Sequence, residues 1–482
     1  MDKLKLFIGG SWIDSEKTEY FEAFSPSTGE VIAEVTKGTR GDAQKAIKEA
    51  RVASETFRKW GVWERAELLQ NIANVVEDKQ EELAHYLTLD QGKPFHTEAK
   101  REVDSVIRTF RETAEQIKWL ESSVIPVKAP NKRVFTYYNP KGVYAVITPW
   151  NYPYMMPTEF IAPGLAAGNT IIWVPAPSTS VTAVKLMECF AEAGVPDGVI
   201  NLITGMGNVV GDEIVSNEGT DAIAFCGSTV TGNIIAQRGA GKPLLIELGG
   251  NGPTIVFEDA NIDQVAESIA KASFTNAGQI CSATERIFVH ESVHDLLAEK
   301  LTNIANNIVV GDPFKESTMM GPLNNEVVFA KNIEHANDSK EKGATFLLGG
   351  NKVDDVESGL YFMPTVVTNV TKDSLYYTEE TFGPIAPLFT FSTTEELLEM
   401  FKENKWGLTA SIFTNQINRA FTLAEEIPSG LVNINDNSDY WEPHIPFGGV
   451  SGKSSGIGRV GGKSAILEMS DVRTITIDVN DE

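Results

Sequence analysis

From residue 143 onwards, short apolar runs alternate with stretches that have the periodicity of amphipathic helices. Runs of this length are typical of buried strands, and helices between consecutive strands are typical of a parallel sheet covered on both faces. The pattern therefore predicts an α/β fold. The apolar runs cover residues 143–148, 170–174, 199–203, 222–225 and 244–248, and helical stretches cover 182–193 and 231–237.

A second alternation of strands and helices begins near residues 254–257 and continues through 287–289 and 409–413. Helices are also predicted ahead of the first strand. Residues 42–60 place apolar side chains on one face behind Asp42 as N-cap, and a longer helix covers 101–120. Because no linker rich in Pro, Gly or Ser separates the two alternations, we expect two α/β units that pack tightly together.

The charge of the chain limits the classes of partner. Its 482 residues include 41 Lys and Arg against 66 Asp and Glu, a formal charge of −25. Such a surface repels phosphate backbones, so we expect neither nucleic acid nor an anionic membrane as a partner. The length corresponds to roughly three domains, which is enough chain to bury large cores.

Cysteine content and hydropathy bear on the compartment. Three cysteines cannot form a disulfide scaffold in a chain of this length, which favours a reducing environment. No apolar run approaches the roughly 20 residues that are needed to span a bilayer. The sequence therefore predicts a protein of the cytoplasm.

Residues 290–294 read His-Glu-Ser-Val-His and match the zinc signature H-E-x-x-H. This signature binds zinc only when both histidines lie on one face of a continuous helix. Here His290 closes a strand-like apolar run, and the next helix is expected to begin after Ser292. Since the two histidines would then not share a face, we predict no metal site.

Two glycine-containing turns follow predicted strands and are candidates for phosphate binding. Residues 205–211 contain Gly207, but their third glycine comes one position late for the dinucleotide fingerprint G-x-G-x-x-G. Residues 227–232 lie between a strand and a helix, so Gly227 and Ser228 can offer backbone N–H groups and a hydroxyl to a phosphate. Such turns also use Gly and Ser for steric reasons, so this one does not identify a ligand by itself.

Three segments carry reactive side chains. Residues 247–251 (Glu-Leu-Gly-Gly-Asn) end a predicted strand in a carboxylate, and residues 274–281 (Phe-Thr-Asn-Ala-Gly-Gln-Ile-Cys) present a thiol after a turn. Residues 148–153 (Thr-Pro-Trp-Asn-Tyr-Pro) follow the first strong strand. Ligands of open α/β sheets bind at the carboxyl ends of strands. The segments at 148–153 and 247–251 therefore lie where such a ligand is expected to bind.

With these segments, the sequence resembles the aldehyde dehydrogenase superfamily over essentially its whole length. The resemblance extends to residues 379–384, 406–409, 446–449 and 455–459. It implies a Rossmann-like cofactor domain at 1–120 and 141–247 and a catalytic α/β domain at 248–445. It also implies a small β extension, at 121–140 and 463–482, that joins subunits into dimers and then a dimer of dimers.

The resemblance assigns three catalytic roles that suit the chemistry of the side chains. Cys281 is the expected nucleophile, because a thiolate adds readily to an aldehyde carbonyl. The amide of Asn151 and the Cys281 N–H are the expected donors to the resulting oxyanion. Glu247 resembles the general base that activates water to hydrolyse the thioester. Cys189 and Cys226 are interpreted as packing residues.

The cofactor expected from the resemblance is NADP, with NAD as the alternative. Relatives commonly have Lys and Glu where this chain has Val174 and Pro177, and loss of the Glu removes repulsion of a 2′-phosphate. Ser178, Thr179 or Ser180 could donate to that phosphate. Glu380 matches the carboxylate that holds the nicotinamide ribose, and Phe382 the aromatic ring beside it. The other expected contacts are Thr148, Pro149, Trp150, Gly207, Gly227, Ser228 and Leu248.

The expected substrate pocket is more polar than a pocket for fatty aldehydes. A site that hydrogen-bonds a substrate hydroxyl discriminates better than an apolar one. We therefore expect a small hydroxyaldehyde such as glyceraldehyde or lactaldehyde, as in the archaeal glyceraldehyde dehydrogenases that the sequence resembles. These segments contain no Arg cluster for a phosphorylated substrate. The predicted lining residues are Tyr152, Met156, Glu159, Ile280, Ser282, Trp441, His444 and Phe447.

Several alternatives remain open from the sequence. The substrate could instead be a semialdehyde or an aromatic aldehyde. A CoA-acylating dehydrogenase has no need of a water-activating base, so Glu247 argues against it. A catalytically silent protein would not be expected to keep Asn151, Glu247, Cys281 and Glu380.

Overall fold

The computed structural model describes residues 3–354, 356–402 and 404–479. Residues 1–2 and 480–482, which the predicted cofactor domain and β extension include, lie outside this description. The strands in chain order are β1 (Lys3–Leu4), β2 (Leu6–Ile8), β3 (Ser11–Ile13), β4 (Tyr20–Phe24), β5 (Val31–Thr36), β6 (Val124–Ile125), β7 (Lys132–Pro140), β8 (Val143–Ile147), β9 (Thr170–Val174), β10 (Ile200–Leu202), β11 (Ala222–Cys226), β12 (Leu244–Glu247), β13 (Pro253–Val256), β14 (Arg286–His290), β15 (Thr345–Leu348), β16 (Thr365–Thr368), β17 (Ile385–Phe391), β18 (Thr409–Phe413), β19 (Leu431–Ile434), β20 (Gly456–Ile457) and β21 (Ser470–Asp478).

Helices connect most of these strands, as the alternating pattern predicts. In chain order they are α1 (Arg40–Phe57), α2 (Val62–Asp78), α3 (Gln80–Gln91), α4 (Lys100–Lys118), α5 (Met155–Ala167), α6 (Ser180–Glu192), α7 (Asp212–Ser216), α8 (Thr229–Arg238), α9 (Ile262–Phe274), α10 (His294–Asn306), α11 (Glu326–Glu341), α12 (Leu375–Thr378), α13 (Thr394–Lys402), α14 (Ile417–Glu426) and α15 (Gly462–Glu468).

The first large sheet has eight strands in the order β20-β12-β11-β8-β9-β10-β2-β3. The strands from β12 to β10 are parallel, whereas β20, β2 and β3 pair antiparallel to their neighbours. The α/β prediction and its five strands are confirmed. Successive strands run from β8 outwards to β10, and the chain then returns to β11 on the other side of β8. The order of the strands therefore reverses between β8 and β11. Ligands of open sheets bind outside the carboxyl ends of strands at such a reversal.

The second large sheet has seven strands in the order β15-β16-β17-β14-β13-β18-β19, and only its β15–β16 pairing is antiparallel among the described strands. Helices cover both faces of each large sheet and enclose separate apolar cores. Segments that lead into β14 and β17 meet the carboxyl end of the first sheet. The site therefore forms between the carboxyl ends of one sheet and the amino ends of the other.

Two further three-stranded sheets have the orders β21-β7-β6 and β1-β5-β4. Strands β7 and β21 pair over nine residues each. Both lie in the segments predicted for the β extension, but helix α15 (Gly462–Glu468) rather than a strand occupies the start of the second segment. Helix α1 also begins earlier than expected. Its N-cap is Thr39, and Asp42 is the third helical residue of a capping box.

The H-E-x-x-H segment has the local structure that the sequence predicts. His290 ends β14, residues Glu291–Val293 form a short 3₁₀ turn, and His294 begins α10. The two histidines therefore do not share one continuous helix. No helix among the described residues is long and apolar enough to cross a membrane.

Candidate active site

A cavity of about 870 Å³ lies between the two large sheets. Its wall is formed by the turns that follow β8, β11 and β12, by the segments that precede β14 and β17, and by one side of α4. Cys281, Asn151 and Glu380 all line it. The structure thus brings together side chains that are separated by more than two hundred residues in the sequence.

Cys281 lies in the segment that leads into β14 and is half-buried at the cavity. Its carbonyl oxygen would be 2.2 Å from a Cβ atom at Gly250, so that glycine lets the turn after β12 approach closely. Burial, and then the nearby Glu380 and Glu247 carboxyl groups, raise the pKa of the Cys281 thiol above its ordinary value. The resting group is therefore a thiol, and its attack on a carbonyl requires a base.

Asn151 lies in the turn after β8 and is only 6 % exposed. Its Nδ2 donates a hydrogen bond to the main-chain oxygen of Gln279, at 3.0 Å, two residues before Cys281. This bond holds the amide beside the thiol. The second N–H of the same amide can donate a hydrogen bond to an oxygen bound in the cavity.

Glu247 is the last residue of β12 and is 1 % exposed. Neither carboxyl oxygen has a hydrogen-bond partner among the described residues. Burial raises the pKa of this carboxyl well above its usual range, while the Arg459 guanidinium lowers it. Oε1 lies against Gly448, where a Cβ atom would be 2.7 Å away. Glu247 does not line the main cavity in this conformation.

Glu380 and Phe382 lie in the segment that leads into β17, and its backbone is held by a buried carboxylate. The N–H groups of Thr381 and Phe382 donate to Glu285 at 2.6 and 2.5 Å. Phe382 has a positive φ of 62° and packs edge-to-face on Trp150, with ring centroids 5.5 Å apart. The segment therefore presents an aromatic wall to the cavity.

The Glu380 carboxyl group accepts a hydrogen bond from the Gly250 N–H at 2.9 Å. A Cβ atom at Gly249 would be only 2.6 Å from its other oxygen, so any side chain there would displace the Glu380 carboxyl group. Burial raises the pKa of Glu380 to about 7, and the Lys331 ammonium opposes that shift. This acceptor at the cavity is suited to a sugar hydroxyl.

The turn after β11 has the geometry of an anion site. Ser228 is the N-cap of α8 and accepts a hydrogen bond from the Thr231 N–H at 3.3 Å. Gly227 precedes it, and a Cβ atom at Gly232 would be 2.3 Å from Leu248, so α8 packs closely on the turn after β12. A helix N-terminus of this kind binds phosphate groups.

These features fit a nicotinamide dinucleotide. Donors for a diphosphate, a carboxylate for a ribose and an aromatic wall for a ring occur along one cavity. Of the predicted cofactor contacts, the structure places these at the cavity: Pro149, Trp150, Gly227, Ser228, Leu248, Glu380 and Phe382.

The remaining predicted cofactor contacts lie outside this cavity. Thr148 is buried, and its hydroxyl accepts a hydrogen bond from the Trp173 indole at 2.8 Å. Val174 is buried at the end of β9, Pro177 is half-buried in the short 3₁₀ turn that follows, and Gly207 is exposed on a separate turn. Their role as cofactor contacts therefore stays a prediction.

Two of the three hydroxyls expected to receive a 2′-phosphate are unsuited to it. Thr179 and Ser180 are buried, and the Ser180 hydroxyl donates to main-chain oxygens of its own turn. Only Ser178 is partly exposed. The Thr179 hydroxyl has no hydrogen-bond partner among the described residues, whereas that of Ser180 is used within the turn, and the sequence alone reveals neither.

Most of the predicted substrate-pocket residues also line the cavity: Tyr152, Met156, Glu159, Ile280, Ser282, Trp441 and Phe447. His444 does not. Its half-exposed side chain lies 3.7 Å from Glu112 and lines a separate cavity of about 330 Å³. The main-chain oxygen of His444 packs against Gly462 and its ring faces Glu112 and Glu442, so the expectation that His444 lines the substrate pocket is corrected.

Sequence reasoning missed a group of buried charges beside the predicted pocket. Lys93 is 1 % exposed, pairs with Glu102 at 2.5 Å and lies over the Tyr152 ring, 3.3 Å from its centroid. Glu102 also accepts hydrogen bonds from the N–H groups of Tyr154 and Met155, which ties α4 to the turn that carries Asn151. The sequence feature that could have revealed this group is Glu102, a carboxylate on the apolar face of α4.

Arginines line the mouth of the cavity, and they come from outside the segments in which the sequence shows no Arg cluster. Arg101, Arg108 and Arg111 follow one another on α4 at intervals of seven and three residues. Arg111 pairs with Glu77, and Arg108 donates to the Ser105 hydroxyl at 3.2 Å. The expectation was drawn only from segments with recognised motifs, whereas these cations come from a helix without one.

Comparison with known proteins agrees with this geometry. A model of the aldehyde dehydrogenase family matches residues 12–475. The chain is 35 % identical to alpha-ketoglutaric semialdehyde dehydrogenase of Bacillus subtilis, over 98 % of this chain and 97 % of that one. It is 36 % identical to succinate-semialdehyde dehydrogenase [NADP(+)] GabD of Escherichia coli, with the same coverage. A solved NAD+ complex of an aldehyde dehydrogenase from Bacillus cereus is 33 % identical, has a TM-score of 0.96, and aligns over 99 % and 97 % of the two chains.

Proposed function

The chain belongs to the aldehyde dehydrogenase family, and from that premise we propose that it oxidises a short hydroxyaldehyde, such as glyceraldehyde or lactaldehyde, to the carboxylic acid. The hydride acceptor proposed is NADP, with NAD as the alternative, and the acyl acceptor is water. The single observation that carries the substrate proposal is the polar lining of the cavity beside Cys281.

Cys281 begins the proposed reaction. A base removes the thiol proton, and the sulfur forms a bond to the aldehyde carbon while the carbonyl π electrons move onto oxygen. The free N–H of the Asn151 amide and the main-chain N–H of Cys281 stabilise the oxyanion. Because Asn151 is already held against Gln279, little reorganisation is needed when the charge develops.

The nicotinamide dinucleotide supplies an acceptor for the hydride that leaves the former aldehyde carbon. Ser228 and the N-terminus of α8 would hold its diphosphate, Glu380 its ribose, and Trp150 with Phe382 would confine its ring. Loss of the hydride leaves an acyl thioester on Cys281. Glu247, once its side chain has turned toward the cavity and released its own proton, takes a proton from water, the hydroxide adds to the thioester, and the acid departs as the thiolate reforms.

Hydrogen-bonding groups around the substrate carbon chain support a hydroxyaldehyde. Glu159 is 2 % exposed, and burial raises the pKa of its carboxyl to about 8, so at neutral pH it is largely an acid that can donate a hydrogen bond. The Ser282 hydroxyl donates to Asp439 at 2.6 Å. These acceptors and donors suit substrate hydroxyl groups.

A semialdehyde with a distal carboxylate is the second candidate. Arg101 and Arg108 stand at the mouth of the cavity, where they could bind a carboxylate that remains outside the acidic interior. The names of the relatives from Bacillus subtilis and Escherichia coli also specify semialdehydes. This candidate places the charged end of the substrate on α4 rather than beside Glu159.

The preference for NADP is supported by the absence of a carboxylate at Pro177 and by the partly exposed hydroxyl of Ser178. It is opposed by Val174, which brings no positive charge. We propose a dimer of dimers in which β7 and β21 serve as the contact between copies, since Val472 and Ile477 on β21 are exposed apolar side chains. Free cysteines at 189, 226 and 281 support a reducing compartment such as the cytoplasm.

The test is a panel of aldehydes assayed with both cofactors by the absorbance of the reduced cofactor. Glyceraldehyde and lactaldehyde are compared with succinic semialdehyde and benzaldehyde, in the wild type and in Glu159→Leu and Arg108→Ala. We expect the highest kcat/KM with a hydroxyaldehyde and a selective loss of that activity in Glu159→Leu. A highest kcat/KM with succinic semialdehyde, lowered by Arg108→Ala, would instead establish the second candidate.

A further inference from the structure

The segment before Cys281 contains a turn of unusual handedness. Asn276, Ala277 and Gly278 all have left-handed backbones, with φ of 50°, 52° and 71°. Asn tolerates this region and Gly prefers it, but an alanine there is disfavoured. Strained backbone of this kind persists only where the surrounding structure holds it, and it concentrates at functional sites.

Gly278 shows one reason why the turn is compact. A Cβ atom at this residue would be 1.9 Å from the main-chain oxygen of Gly383, in the segment that carries Glu380 and Phe382. The nucleophile segment and the proposed cofactor segment therefore touch through their backbones.

Asn276 is 3 % exposed, and every polar group of its side chain is used. Oδ1 accepts a hydrogen bond from the Gln91 amide at 3.0 Å. Nδ2 donates to the main-chain oxygens of Asn151 at 3.1 Å and Gln279 at 3.3 Å. Its main-chain N–H donates to the Glu98 carboxylate at 2.9 Å. One side chain thus joins the end of α3, the turn after β8 and the segment before Cys281.

Asn151 is consequently held at both ends. Its side-chain amide donates to the Gln279 oxygen, and its main-chain oxygen accepts from Asn276. The same Gln279 oxygen also accepts from Asn276, so the two amides share an acceptor that lies two residues before the thiol. The left-handed backbone is what turns the Asn276 side chain back toward both acceptors.

We propose that Asn276 is a positioning residue that sets the alignment of the Asn151 amide with the Cys281 thiol, and that the left-handed turn is retained because it aims the Asn276 side chain. The inference rests on the roles of Cys281 and Asn151 under the proposed function. It predicts that loss of the side chain lowers the rate of the chemical step without reducing the intrinsic reactivity of the thiol.

The first experiment compares two glycine substitutions in the same turn. Asn276→Gly keeps the backbone conformation accessible and the N–H bond to Glu98, but removes the three side-chain bonds. Ala277→Gly is the matched control, because it relieves the disfavoured backbone and removes no polar contact. Steady-state kcat and KM are measured, together with alkylation of Cys281 by iodoacetamide, a reaction that builds no oxyanion on a carbonyl.

For Asn276→Gly we expect kcat to fall about 10- to 100-fold, with KM and the alkylation rate within about threefold of the wild type. Ala277→Gly should stay within about twofold in kcat. Equal losses of kcat and alkylation rate, or an unchanged kcat, would overturn the inference. Should Asn276→Gly fail to fold, Asn276→Asp has the same size and keeps the acceptor for Gln91, and the same outcomes apply to it.

A double-mutant cycle with Asn151→Ala separates this inference from the proposed function. If Asn276 acts through Asn151, Asn276→Gly lowers kcat in the wild-type background but adds less than about threefold in the Asn151→Ala background. Full multiplication of the two losses would overturn the positioning role. An Asn151→Ala variant with unchanged kcat would instead overturn the proposed role of Asn151.

Discussion

The reactive end of the cavity and the short turn after β9 are held in different ways. Around Cys281, the hydrogen bonds join residues that are more than a hundred positions apart, as between Asn151 and Gln279 or Gln91 and Asn276. In the turn after β9, Ser180 bonds only to carbonyls three and four residues before it. Substitutions at the reactive end should therefore alter the chemistry, whereas substitutions in the turn should alter only the choice of cofactor.

The largest effect is expected for Cys281→Ala, which tests whether the reactive end depends on this thiol. Without sulfur no covalent adduct with the aldehyde can form, so turnover should fall by more than about 10⁴-fold while the fold is kept. Turnover is measured by reduced-cofactor absorbance and folding by circular dichroism. A folded variant within about tenfold of wild-type turnover would refute the nucleophile assignment.

Glu247→Gln should separate the two halves of the proposed reaction. Gln cannot take a proton from water, so deacylation should slow by about 10²- to 10³-fold while the first hydride transfer continues. Stopped-flow absorbance should then show a burst of reduced cofactor followed by a slow steady state.

Two other outcomes of the Glu247→Gln experiment are informative. If burst and steady rates fall together, Glu247 also deprotonates Cys281 in the first half-reaction. If the wild type turns over faster with added coenzyme A than with water alone, the hydrolytic assignment is wrong and the enzyme is CoA-acylating.

Pro177→Glu tests the locally held turn after β9. A carboxylate here should repel a 2′-phosphate and move the ratio of kcat/KM for NADP to that for NAD toward NAD by about 10- to 100-fold. Since salt screens this repulsion, the assay is run at low ionic strength. Ser178→Ala is the matched control for loss of a donor without added charge. A wild type that already prefers NAD about tenfold, or a ratio that does not move, would contradict the NADP proposal.

The smallest effect is expected in the pH dependence of stability. Burial raises the pKa of Glu159 to about 8 from an ordinary value near 4.5, so the folded chain binds this proton more tightly than the unfolded chain. The stabilisation that this bound proton gives the folded chain is fully present below pH 4.5 and is lost as the pH rises toward 8. Gln at this position keeps an acceptor for the Thr109 hydroxyl and cannot ionise.

The Tm of Glu159→Gln minus the Tm of the wild type should therefore increase by about 1–3 °C when the pH is raised from 5 to 8. The difference between the two proteins isolates this group, because other buried carboxyls titrate equally in both. A Tm difference that stays constant across this range would show that Glu159 is ionised in the folded protein.

The first sheet was predictable because its strands are buried on both faces and therefore read as continuous apolar runs, such as Thr170–Val174 of β9. The rule that ligands bind at the carboxyl ends of strands also places Asn151 and Glu247 near the site. The rule does not apply to Cys281 and Glu380, which precede strands of the second sheet. Only the motifs of the family associate those two residues with the others.

The burial of Lys93 was beyond sequence reasoning for a physical reason. A lysine such as Lys93 is normally exposed, and only the simultaneous approach of Glu102 and the Tyr152 ring makes its burial tolerable. The left-handed backbone of Ala277 is equally invisible, since alanine is a strong helix former. Both features depend on contacts between distant segments, which one-dimensional patterns do not record.

The pairing of β20 with β12 has a consequence for synthesis on the ribosome. Ile246 and Glu247 pair with Ile457 and Gly456, so one edge of the first sheet is closed by chain that emerges roughly 210 residues later. At about 5–20 residues per second, that edge stays open for about 10–40 s, during which it can pair with other nascent chains. Premature termination before β20 would release a polypeptide that holds every proposed catalytic residue and yet has an open strand edge beside Glu247.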